Sequence, residues 1–117
     1  MNPIPTAFLP HTCTLYTVFT NGSSSQKNLS SVRIETEKKA DNYRTASGVL
    51  WYDCTNSLPK NAVFALAGET IGANIVRRQY ITSADGEFDI TGVKKYYDKT
   101  AAHHFEIALG GVIPYNG

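Results

Sequence analysis

His11-Thr12-Cys13-Thr14-Leu15-Tyr16-Thr17-Val18-Phe19-Thr20 is the stretch that decides the fold class. In an extended chain Cys13, Leu15, Thr17 and Phe19 point one way, and Thr12, Thr14, Tyr16, Val18 and Thr20 the other. A period of two in β-branched and aromatic residues argues for a strand with one face in a core.

Working outward, residues 21–27 carry Gly22 and three serines and read as a hairpin loop. Residues 28–37 make the next strand, with Val32, Ile34 and Thr36 facing inward and Arg33, Glu35 and Glu37 facing water. Residues 38–47 are polar and aperiodic, and are expected to form a long exposed loop. The apolar run of residues 48–54 suits a strand covered on both faces. Residues 55–61 turn around Pro59. Residues 62–67 read as a further short apolar strand, closed by Gly68, and residues 70–81 as a longer one. Asp85-Gly86 is the strongest hairpin signal in the chain. Residues 88–97 pair back, residues 97–101 turn, and residues 102–113 make the last strand. There His103, Phe105, Ile107 and Leu109 share one face, and His104, Glu106 and Ala108 the other. At the other end, residues 1–10 contain Pro3, Pro5 and Pro10. They read as an extended arm, either disordered or laid on a neighbour.

About seven strands with a turn signal every ten residues or so predict an all-β domain over residues 1–117. The expected architecture is a small antiparallel β-barrel or sandwich with long polar loops. A chain of 117 residues buries a core without staples. Seven Tyr, five Phe and Trp51 agree with β structure.

The net charge is +1, and the basic pairs Lys38–Lys39, Arg77–Arg78 and Lys94–Lys95 split between opposite strand faces. A nucleic-acid binder concentrates its cations on one face, so this distribution argues against one. No stretch is long and apolar enough for a membrane helix. Residues 1–10 lack the basic and apolar regions of a signal peptide. Assembly in a cytoplasm is therefore expected, with Cys13 and Cys54 reduced and buried, a Cys13–Cys54 disulfide being the alternative.

No catalytic, cofactor or metal motif stands out. His104 and Glu106 share a strand face and could ligate a metal, but His103 points the other way on a regular strand and His11 is distant. Neither cysteine has a protease or oxidoreductase signature. Gly68-Glu69-Thr70-Ile71-Gly72 lacks a following Gly-Lys-Ser/Thr and reads as a turn. Tyr16, Trp51, Tyr52, Tyr80, Tyr96, Tyr97 and Phe105 could make a stacking surface for single-stranded nucleic acid. Core and subunit-interface roles explain the same aromatics.

Three stretches resemble the minor capsid proteins of tailed phages and prophages, of the head-completion or head–tail joining kind. They are Leu9-Pro10-His11-Thr12-Cys13-Thr14-Leu15-Tyr16, then Ala46-Ser47-Gly48-Val49-Leu50-Trp51-Tyr52-Asp53-Cys54 with the Pro59 turn and Gly68-Glu69, and finally His103-His104-Phe105-Glu106-Ile107. The resemblance implies a small, non-enzymatic, barrel-like subunit of the virion. Copies would form a ring on the portal/adaptor complex, retain DNA, and meet tail-completion proteins, with non-specific contact to packaged DNA. Loops reaching the ring lumen are expected in the two polar insertions, at Asn21, Gly22, Ser23 and Lys27, and at Lys38, Lys39, Asp41, Tyr43 and Arg44. The arm 1–10 and the tail 110–117 are candidates for partner contacts. The competing readings are another small tail-tube or tail-completion subunit, and an oligonucleotide-binding barrel.

Overall fold

The computed structural model describes residues 2–39 and 42–111. A 3₁₀ turn, Thr6–Phe8, precedes seven strands: β1 His11–Phe19, β2 Ser24–Lys39, β3 Asn42–Asp53, β4 Thr70–Ile71, β5 Asn74–Ser83, β6 Gly86–Asp98 and β7 Ala101–Gly111. The hydrogen-bonded order is β1-β2-β3-β7-β6-β5-β4, and β1 also pairs with β5. That last pairing closes six antiparallel strands into a barrel and leaves β4 as a short extra strand on β5. The choice between barrel and sandwich is thereby decided.

Closure follows from the alternation. Cys13, Leu15, Thr17 and Phe19 are all buried, as are Leu50 and Tyr52 on β3 and Ile107 and Leu109 on β7. Cys13, Leu15, Leu50, Tyr52, Ile107 and Leu109 meet Val32, Ile34, Ile81, Phe88 and Ile90 in one core cluster, while Phe19 packs with Ala65 and Val76 in a second. Burying their apolar area supplies the main driving force.

The registers are strongly staggered. One line across the sheet joins His11, the first residue of β1, to Val32, Tyr52, Phe105 and Lys95. β2 therefore gives its first half to β1 and its second half to β3. Beyond Glu37↔Ser47 the β2–β3 ladder resumes, after a register shift, at Lys39↔Asn42, and among the described residues neither β1 nor β7 pairs with it. The hairpin stands off the barrel as a two-stranded ribbon. Gly48 lets the two strands approach there, because a Cβ at this position would run into the Glu35 carbonyl.

Four expectations need correction. Within residues 38–47 the described residues, 38–39 and 42–47, are strand and not loop: a ladder needs only main-chain groups, so a polar sequence without a hydrophobic period still pairs. Residues 62–67 are not a strand. This apolar run crosses the barrel and packs Ala62 and Phe64 into the core cluster. Residues 70–81 are not one strand either, since Gly72 at φ +61° turns the chain between β4 and β5. Residues 48–54 are not covered on both faces. Leu50 and Tyr52 are buried while Val49 and Trp51 are only half-buried. The count of seven strands agrees although one of the seven is a different segment.

Candidate functional site

The expected lumen residues separate into two groups. Asn21, Gly22 and Ser23 form the β1–β2 turn, where the Asn21 side chain accepts from the Ser23 N–H at 2.9 Å. Lys27 is not in that loop; it lies in β2 opposite Leu15 of β1. Lys38 and Lys39 lie in β2, and Tyr43 and Arg44 in β3, all on the projecting ribbon. Asp41 lies outside the described residues, as do 112–117 of the expected C-terminal contact. The turn and Lys38–Lys39 are at opposite ends of the 16-residue β2. The structure does not bring them to one place.

The segment joining β3 to β4 seals the barrel. Gln79 of β5, 3% exposed, holds it by two contacts and ties it to β1 by a third. Its Oε1 accepts from the Ala65 N–H at 2.8 Å. Its Nε2 donates to Val63 C=O at 2.9 Å and to Thr17 Oγ1 of β1 at 3.0 Å. Tyr52 adds a second anchor: its hydroxyl donates to Pro59 C=O and accepts from the Ala62 N–H. Neither residue carried a sequence signal beyond its place on an inward face.

At the end of β3, Asp53 is fully buried. Its Oδ1 accepts from the Thr55 and Asn56 N–H groups, each at 2.8 Å. Its Oδ2 accepts from the Ile4 N–H at 2.7 Å. Asn56 Nδ2 donates to Ile4 C=O at 2.8 Å. The arm is therefore laid on its own barrel, with Leu9 buried and Phe8 C=O beside Arg33.

His103 and His104 depart from simple alternation. The register slips between Tyr96↔His104 and Tyr97↔Ala102, which leaves His103 as the extra residue of a bulge. The two rings meet, Nδ1 to Nδ1 at 2.7 Å. His103 Nε2 donates to Asn2 C=O at 2.6 Å, and His104 Nε2 reaches Glu106 Oε2 at 3.1 Å. Tyr96 stacks on His104 at 4.6 Å. Among the described residues no three His, Cys, Asp or Glu side chains converge as a metal group would need.

Cys13 and Cys54 are free thiols. Burial pushes the Cys13 thiol up to about 12, and burial then Asp53 raise Cys54. Both shifts oppose thiolate formation.

The aromatics do not make one platform. Tyr52 stacks on Phe105 within the core. Tyr16 stacks on Tyr80 at 4.9 Å on the outer wall, capped by Arg78, which pairs with Glu87 and Asp89. Carboxylates beside that stack disfavour a phosphate backbone. No helix among the described residues is long and apolar enough to cross a membrane.

Compared with known proteins, the chain matches no family model, no curated protein and no solved structure.

Proposed function

We propose that the chain is a structural subunit of a tailed-phage particle at the head–tail junction. In this reading copies assemble as a ring on the portal/adaptor complex, narrow the DNA channel and offer a surface to the tail. The role is architectural and needs no catalytic group.

One observation carries the reading beyond the sequence resemblance. The β2–β3 ribbon stands off a closed, plugged barrel. A compact body of this kind can tile side by side, and a ribbon wholly supported by its own ladder can reach a neighbour or a lumen. Because the Asn21–Ser23 turn lies at the far end of β2, only one of the two insertions can line a given constriction. The ribbon, which carries Lys38, Lys39, Tyr43 and Arg44 in its sequence, is assigned that place. The modest net charge suits a channel through which DNA slides.

The test is to delete the gene in its phage or prophage and image the lysate by electron microscopy. Heads that have lost DNA and separate finished tails are the expected result. Intact infectious particles would overturn the assignment. Full heads with defective tails would move it to a tail-completion subunit.

A further inference from the structure

The far end of the N-terminal arm is gripped through its main chain. His103 takes Asn2 C=O, Asp53 takes the Ile4 N–H, and Asn56 takes Ile4 C=O. The residues gripped alternate with Pro3 and Pro5, which have no N–H to satisfy. The groove is also built without the arm. Ser57, fully buried, holds the Asp53 N–H at 2.9 Å and bonds Ser31 C=O. The Thr55 and Asn56 amides fix one Asp53 oxygen, and the other is aimed at the arm. A fully buried carboxylate oxygen with one outside donor is a receptor for an extended segment.

The arm joins β1 through the Thr6–Phe8 3₁₀ turn, buried Leu9 and Pro10. The three prolines lower the entropy lost when the arm docks. We propose that the groove accepts the arm of a second copy of this chain, so that neighbouring copies exchange arms. The contacts are the same in either arrangement. Exchange requires the joint to β1 to open, and the choice then rests on local concentration and on where the opened joint points. This inference stands apart from the virion reading, because it concerns the purified chain alone.

The experiment mixes two full-length variants, Ile4→Cys and Asn56→Cys, each with Cys54→Ser. Cys13 is buried and its thiol is pushed up to about 12, so it stays silent. A short bismaleimide is added near about 1 mM chain, where exchange competes with a short tether. Exchange predicts roughly tenfold more covalent heterodimer than a control mixing Ile4→Cys with Asn21→Cys. A single chain carrying both changes is cross-linked at high dilution to show that docking survives the substitutions. An internal link there without heterodimer in the mixture overturns exchange. No link in either sample overturns the groove itself.

Discussion

The plugged end of the barrel and the β2–β3 ribbon are built from opposite principles. The plug has no ladder of its own and is held by side chains reaching from strands: Gln79, Tyr52 and Asp53 satisfy its main chain in buried surroundings. The ribbon is held by main-chain pairing between β2 and β3, from Glu37↔Ser47 through a register shift to Lys39↔Asn42. Glu37, at its base, is exposed. Irregular backbone inside a fold concentrates stability in a few residues, because each buried main-chain group needs its own partner. A ribbon in water spreads its stability thinly and tolerates change.

The strongest attack on this contrast is Gln79→Leu. It strands the Ala65 N–H, Val63 C=O and Thr17 hydroxyl together, and should cost about 3 kcal/mol or more. A urea unfolding curve measures this, and a loss below about 1 kcal/mol would show that the plug does not depend on Gln79. A second probe is pH. Below pH 9 the Cys13 thiol is protonated in both states and contributes no slope. Above it the unfolded chain releases the proton while the fold keeps it up to about 12. Stability should therefore fall by ~1.4 kcal/mol per pH unit across that window. Tyr52 and Cys54, both raised first by burial, add to the same slope. Unfolding midpoints at pH 8 and 10 read the effect, and Cys13→Val should flatten part of it. The smallest change is expected on the ribbon, where Glu37→Ala should stay within about 0.5 kcal/mol. If that variant unfolds as readily as Gln79→Leu, the two regions are not built differently.

The same contrast explains what was legible. β1 could be read residue by residue because one face is dry and the other wet. Asp85-Gly86 was legible because its turn has a local chemistry: the Asp85 N–H bonds Ser83 Oγ as Ser83 and Gly86 pair. The plug was misread because an apolar run looks the same whether its main chain pairs with a strand or with side chains. The ribbon was misread because a ladder in solvent leaves no hydrophobic period. The meeting of His103 and His104 depends on a bulge, which exists only in the register between two strands. Asp53 and Asn56 gave no signal because their partner, Ile4, lies 49 residues away from Asp53.

The β1–β5 seam has a consequence for how the molecule forms. Four of the six barrel seams join strands that are neighbours in sequence. The other two, β1–β5 and β3–β7, both span the plug and an intervening hairpin, pairing Tyr16 with Tyr80 and Val49 with Ala108. Closing so long a loop costs entropy before any contact compensates. Two three-stranded meanders, β1–β2–β3 and β5–β6–β7, are thus the natural early units. Their final zippering catches Ala62, Phe64 and Ala65 against the core, much as a lid is caught when a box is shut.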